Sequence, residues 1–472
     1  MLENSYHDQL PSSFYSEQAP VPVAAPEMFV YNHQLAADLD LPADWQDAKK
    51  AMAWLSGNMA VADSQPIAQA YAGHQFGHFT MLGDGRAILL GEIVKEDQRY
   101  DMQLKGSGRT LFSRKGDGRA TLYSMLREYL ISEAMHHLGI PTTRSLAVVK
   151  SGEKVQREYQ HEGAILTRIA KSHLRVGTFE FARVYRSDEE LKQLLDYSIQ
   201  RHDPSLVGQE DVAMKFFQSV IDRQIDLVVH WMRVGFIHGV MNTDNTSIAG
   251  ESIDYGPCAF MNAYHPDTVF SSIDRQGRYA YSNQPRIVHW NLAVLANALL
   301  PLLDQDEKKA IERVEAVLNE FPEMYRARYF SMMLNKLGIA QQKPDDAVLV
   351  QELMQLLAEH RIDYTNFFVS LRHDSITEKA LLEDERFISW KQRWKEAHER
   401  DVPKGLQLMD ENNPVVIPRN HLVEQALEEA VDGKMKPFND LLEKLSQPYA
   451  QDQSLQEVPE GFDRLYQTYC GT

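Results

Sequence analysis

Several short stretches of this chain carry side chains that together could hold a nucleotide and a metal ion. Gly83-Asp84-Gly85-Arg86 places a cation and free backbone N–H groups in a glycine turn, and Lys105 ends the second apolar stretch after it. Glu128 follows 23 residues after Lys105, as a candidate partner for the ammonium. Asn245 and Asp254 are two hard oxygen donors. Phosphate chains need positive charge, backbone donors and a divalent ion. The set offers the first two directly and, through Asn245 and Asp254, a seat for Mg²⁺ or Mn²⁺.

Two further stretches concentrate cations. Lys115-Gly116-Asp117-Gly118-Arg119 is either a flexible loop before a helix or a flap that closes over a nucleotide. Thr167 to Gly177 carries Arg168, Lys171, His173 and Arg175. It reads as a solvated basic face or as a phosphate clamp, since a guanidinium fork matches phosphate oxygens bidentately.

The order of these pieces resembles that of a protein kinase. In the kinase pattern H-R-D-x-x-x-x-N, the Asp takes the substrate proton and the Asn holds a metal. His238 to Asn245 follows that spacing, and Asp254-Tyr255-Gly256 stands where a kinase has D-F-G. The Asp position, however, is Val240. A valine neither accepts a proton nor orients a hydroxyl. The chain is therefore a dead kinase, or it uses the same cradle for a different transfer.

The elements that would position these residues are partly legible. His78 to Ile93 reads as strand, tight turn and strand, with Asp84-Gly85 as a hairpin signal. Tyr100–Leu104, Leu146–Lys150 and Gly163–Ile169 read as further strands. Leu122, Met125, Leu126, Tyr129, Leu130 and Ala134 repeat at helical spacing over about 120–138, and Gly139 and Pro141 stop that helix. Glu128 borders its apolar stripe. Residues 211–235 form a long amphipathic helix that delivers the chain to His238. Beyond 286, helical periodicity recurs at 290–303, 307–318, 347–360, 378–398, 421–431 and 436–446. The Pro-rich stretch 18–28 reads as a surface strap. Strands first and helices afterwards imply an α+β class. The expected organisation is a kinase-like two-lobed fold: an N-terminal extension (1–65), a strand-rich lobe (66–150), a second lobe with the catalytic loop and metal motif (151–295), and a helical C-terminal region (296–472).

Composition narrows the function classes. The 472 residues carry 49 basic and 67 acidic side chains, a net charge of -18, which argues against nucleic acid or an anionic membrane as partner. The only two cysteines, Cys258 and Cys470, make no disulfide framework and point to a reducing, cytoplasmic setting. The first ten residues lack the basic and apolar regions of a signal peptide. The apolar run Asn291–Leu303 is shorter than the roughly 20 residues of a membrane span and reads as a buried helix.

A more specific resemblance emerges from longer motifs. Gly73-His74-Gln75-Phe76-Gly77, Leu82–Arg86, Gln103–Gly108, Gly116–Ala120, Arg168, His173–Arg175, His238–Asn245 and Asp254–Pro257 resemble the selenoprotein O group of pseudokinase-fold protein adenylyltransferases. That resemblance spans most of the chain. It implies ATP bound in a flipped orientation and AMP, rather than phosphate, passed to Ser, Thr or Tyr hydroxyls of proteins, with UTP as a further donor to consider. It implies nucleotide contacts from Gly83, Gly85, Arg86, Lys105, Asp117, Gly118, Arg168 and Arg175, metal ligation by Asn245 and Asp254, proton acceptance by Asp244, and a Glu128–Lys105 pair. The implied partners are protein substrates, the chain itself included. Members of this group often end in a selenocysteine or cysteine; here it is Cys470, and a reversible link to Cys258 is one expectation. Two alternatives stand beside this reading: a kinase that moves the γ-phosphate, and a non-catalytic nucleotide-sensing scaffold. Val240 counts against the first, and an acid beside two metal ligands counts against the second.

Overall fold

The structure is a computed structural model that describes residues 2–451 and 453–469; Cys470 lies outside the described residues. The chain is a mixed α/β protein. Its strands are β1 (Tyr15–Glu17), β2 (Glu27–Tyr31), β3 (Ile67–Gln69), β4 (Ala72–Gln75), β5 (His78–Met81), β6 (Ala87–Lys95), β7 (Gln98–Lys105), β8 (Ala120–Thr121), β9 (Arg144–Gln156), β10 (Gln160–Ala170), β11 (Phe236–Ile237) and β12 (Ala259–Phe260). The main sheet runs β1-β3-β6-β7-β10-β9-β2, with β8 also on β10, and every ladder is antiparallel. β4 and β5 pair only with each other, as do β11 and β12.

The period of two in the strands sorts side chains onto two covered faces. Leu89, Val148, Ala164 and Leu166 join a core shared with the helix Leu122–His137. Their neighbours Ile88, Leu90, Ala147, Val149 and Ile165 face the other way, onto Leu35, Ala36, Leu39, Ala51 and Leu55 of the N-terminal helices. The first 65 residues thus supply both strands and a covering layer for the sheet.

Asp84-Gly85 is not a hairpin turn. β5 pairs with β4, whereas β6 pairs with β3 and β7. The turn is pulled inward because the buried Asp84 carboxylate accepts from the backbone N–H of Gln69 and the side-chain amide of Gln103, each at 3.2 Å. A buried carboxylate that finds donors outranks the local turn preference.

Thr121 caps the Leu122–His137 helix by accepting from the Ser124 N–H, and Gly139, at φ +72°, ends it. The helix is buried nearly all round because it lies between β9–β10 and the C-terminal helices Asn420–Val431 and Lys436–Leu445. Val212–Val234 ends at Gly235 in the left-handed conformation and feeds β11 and then His238. The helical span Tyr281–Leu303 is long and apolar enough to cross a membrane, yet Val288, Leu292, Leu295 and Leu299 within it are buried against neighbouring helices. Glu307–Lys336 runs through Pro322, well past residue 318, with Phe321, Tyr325 and Tyr329 stacked along one face. The span 378–398 breaks at Asp384, which caps a new helix, Glu385–His398.

Candidate functional site

A cleft of about 890 Å³ opens between the main sheet and the segment 240–257. Its walls include Gly83, Gly85, Arg86, Lys105, Asp117, Gly118, Glu128, Arg168, Arg175, Asp244, Asn245 and Asp254, so residues up to 171 positions apart meet in one cavity. Nine Lys or Arg side chains line it against five carboxylates. In a chain of net charge -18, that local excess marks a place built for a polyanion.

At its floor lies a quartet of charged side chains. Lys105, the last residue of β7, donates from Nζ to Glu128 Oε2 at 2.6 Å and to Asp254 Oδ1 at 2.5 Å. Arg168 stands opposite Gln103 across the β7–β10 ladder. Its guanidinium donates to Glu128 Oε1 from Nε at 3.0 Å and again from Nη2, and Nη2 reaches Asp254 Oδ1 at 2.5 Å. Two cations and two carboxylates therefore neutralise one another, three of them buried and Asp254 a quarter exposed to the cleft. Burial alone would push the Asp254 carboxyl up, but Arg168 and Lys105 outweigh it and hold it well below the usual carboxylate range. Burial, with Arg168 alongside, lowers the Lys105 ammonium.

Arg175 begins the helix Val176–Tyr185, is buried, and lies with its guanidinium 4.3 Å from the Tyr71 ring centroid. Its Nε has no hydrogen-bond partner. A buried guanidinium nitrogen without an acceptor fits a site that takes an anion. Gly83 has φ +106°, and a Cβ there would strike the Phe112 ring. Gly118, at φ +70°, abuts the Gly108 carbonyl. Asp117 accepts from Arg157 at 2.8 Å on the wall of the cleft.

Asp244 and Asn245 share a single 3-10 turn, Thr243–Asn245. The Asn245 side-chain amide donates to the Val240 carbonyl at 3.1 Å, which leaves Oδ1 without a protein partner among the described residues. Asp254 sits in the left-handed region, φ +64°, which Asp tolerates better than most residues. Its Oδ2 is likewise unpaired among the described residues. These two free oxygens suit a hard divalent cation that completes its shell with phosphate and water. No group of three or more His, Cys, Asp or Glu side chains with the makings of a metal centre occurs among the described residues, so an ion held here would draw most of its ligands from phosphate and water. Asp244 is only 9% exposed. Burial raises its carboxyl to about 6, against the opposing pull of Arg175.

Arg127 ties three parts of the chain together. It donates from Nε to Gly256 O at 3.1 Å, from Nη2 to Cys258 O at 2.7 Å and from Nη1 to Glu424 at 3.0 Å. Tyr123, one turn earlier, also bonds Glu424. Cys258 is buried, and burial pushes its thiol up to about 12, which disfavours a reactive thiolate. Tyr71, Arg127 and Arg157 line the cleft without having stood out in the sequence. Arg157 had no signal, being a lone cation in the β9–β10 turn, while Arg127 was adjacent to Glu128 on a helix whose whole circumference is buried.

A family model described as "Protein adenylyltransferase SelO" matches residues 2–446. The chain is 51% identical to the "Protein nucleotidyltransferase YdiU" of Bacillus cytotoxicus, over all of this chain and 97% of that protein. It is 50% identical to the protein of the same description in Geobacillus kaustophilus, over 100% and 99%, and 49% identical to one in Clostridium perfringens strain SM101, over 100% and 97%.

Proposed function

The chain belongs to the protein adenylyltransferase SelO family, and from that premise we propose that it transfers AMP from ATP to serine, threonine or tyrosine hydroxyls of proteins. The arrangement we favour is kinase-like and two-lobed, with the nucleotide between the main sheet and the loop that carries Asp244.

In this reading Lys105, Arg168, Arg175 and Arg86 neutralise the triphosphate, and the Gly83–Gly85 turn lets backbone approach it. Glu128 holds Lys105 and Arg168 in place. Asn245 and Asp254 would hold Mg²⁺ or Mn²⁺, which when bound would withdraw charge from the phosphate oxygens. The acceptor hydroxyl oxygen bonds to the α-phosphorus, its proton passes to Asp244, and the bond to the β-phosphate breaks to release pyrophosphate. The fixed cations offset the charge that builds on the departing pyrophosphate. A carboxyl near 6 is still mostly ionised at neutral pH, and so can take that proton.

The observation that carries the reading is local. Val240 fills the place of the kinase proton acceptor, while the nearly buried Asp244 stands beside Asn245 in the same cleft. The chain incubated with ATP and Mn²⁺ should incorporate label from the α-phosphate into protein and none from the γ-phosphate. Label arriving only from the γ position would establish a kinase and overturn the proposal.

A further inference from the structure

The motif Gly73-His74-Gln75-Phe76-Gly77 has no role in the chemistry above. It forms the small β4–β5 hairpin, which pairs with no strand of the main sheet. The hairpin is instead fastened to the loop that carries Asp244. The His74 N–H donates to Thr243 Oγ1 at 2.7 Å, and the Phe76 N–H donates to Asn242 Oδ1 at 3.0 Å. Tyr279 donates its hydroxyl to the same Asn242 oxygen at 2.7 Å.

Between those two hydrogen-bonded residues and the catalytic loop lies Gly73. A Cβ at this position would stand 2.5 Å from Asp244 Oδ1, 2.9 Å from its Cβ and 3.0 Å from its Cγ. Gly73 does not lie in the left-handed region, so backbone conformation does not require glycine there; room does. On the other side, a Cβ on Gly177 would strike the Ala72 carbonyl and reach within 3.4 Å of the Asp244 Cα. Gly73 thus closes on the Asp244 carboxylate, and Gly177, from a separate element, on its backbone. Asp244 Oδ1 is buried against this wall with no hydrogen-bond donor, and Asp244 nevertheless lines the cleft. The oxygen left to face an incoming hydroxyl is therefore Oδ2.

We infer that Gly73 is a positioning residue for Asp244: by leaving Oδ1 just enough space, it fixes the carboxylate rotation that presents Oδ2 to the acceptor hydroxyl. This rests on Asp244 being the proton acceptor. Displacing a catalytic group by about 1 Å costs on the order of 10²-fold in rate. A methyl at position 73 forces a shift of that size.

The test measures AMP incorporation into the full chain at saturating ATP and Mn²⁺, beside the ATP dissociation constant, for Gly73→Ala, Asp244→Ala and the double variant. The expected result is a fall in rate of at least tenfold for Gly73→Ala, ATP affinity within about twofold of the parent, and no further slowing in the double variant relative to Asp244→Ala. A parental rate in Gly73→Ala, a matching loss of ATP affinity, or multiplicative slowing in the double variant would each overturn the inference. Should Gly73→Ala lose its native circular dichroism, Thr243→Val, which removes the acceptor of the His74 N–H together with the hydroxyl's bond to Glu180, takes its place under the same criteria. Asp244→Ala turning over at the parental rate would instead sink the proton-acceptor reading itself.

Discussion

Replacing Glu128 by glutamine removes one of the two carboxylates that balance Lys105 and Arg168. Glu128 is 4% exposed and accepts from both cations, so water gives little compensation for its loss. Removing one partner of a buried ion pair costs about 3–5 kcal/mol, because an uncompensated charge stays behind. Here Asp254 would remain as the only carboxylate bonded to both, and it is the proposed metal ligand. Equilibrium denaturation should show a loss in that range. Pyrophosphate without metal should then recover more stability in Glu128→Gln than in the parent, since an anion in the cleft would replace the missing charge. Transfer should fall even at saturating ATP, because Lys105 and Arg168 would have lost their common anchor. Unchanged stability, or a smaller pyrophosphate effect in the variant than in the parent, would refute the view of Glu128 as the counter-charge of a polyanion site.

Lys105→Ala and Asp254→Ala should each abolish AMP transfer in an assay with α-labelled ATP; full activity in Asp254→Ala would remove the basis for the metal assignment. Asp244→Ala should slow transfer on the order of 10²–10⁴-fold, the usual scale for loss of a general base, with ATP affinity nearly kept. A large loss of affinity with turnover intact would contradict its role. Glu251 provides a pH test away from the cleft. Burial raises its carboxyl from 4.5 to about 7, with Lys171 opposing, so the folded protein holds a proton that the unfolded chain has released between those values. Its contribution to stability is full below pH 4.5 and declines as pH rises through 7, by about 3 kcal/mol at most. Glu251→Gln should therefore be more stable than the parent at pH 8, with the gap narrowing toward pH 4.5, and identical unfolding curves at pH 8 would count against it.

Much of the cleft was legible because its chemistry sits in short glycine-containing motifs with local meaning. Gly83–Arg86, Lys105, Asn245 and Asp254 each suggested a phosphate or metal role by residue type and spacing, and one cleft gathers them. What stayed hidden was set by contacts distant in sequence. β1 and β2 are short and flank a Pro-rich stretch, and they become strands only by pairing with β3 and β9. Asp84 looked like a turn residue until the amides of Gln69 and Gln103 drew it inside. The helices Val176–Tyr185 and Asp188–His202 begin where the cation-rich stretch 167–177 ends, in a part of the chain where no element was expected, and the burial of Phe179, Leu191 and Leu194 explains them. Arg157 reaches the cleft because a long hairpin, β9–β10, carries it there.

The grip of Glu424 on Tyr123 and Arg127 bears on how the protein is made. The helix bearing Glu128 emerges from the ribosome some three hundred residues before the helix that braces it. While synthesis is under way, that brace is missing and the anion pocket is held on one side only. Competence therefore arrives late, when nearly the whole polypeptide exists, and a prematurely terminated product would have the charges of a transferase without the rigidity to use them.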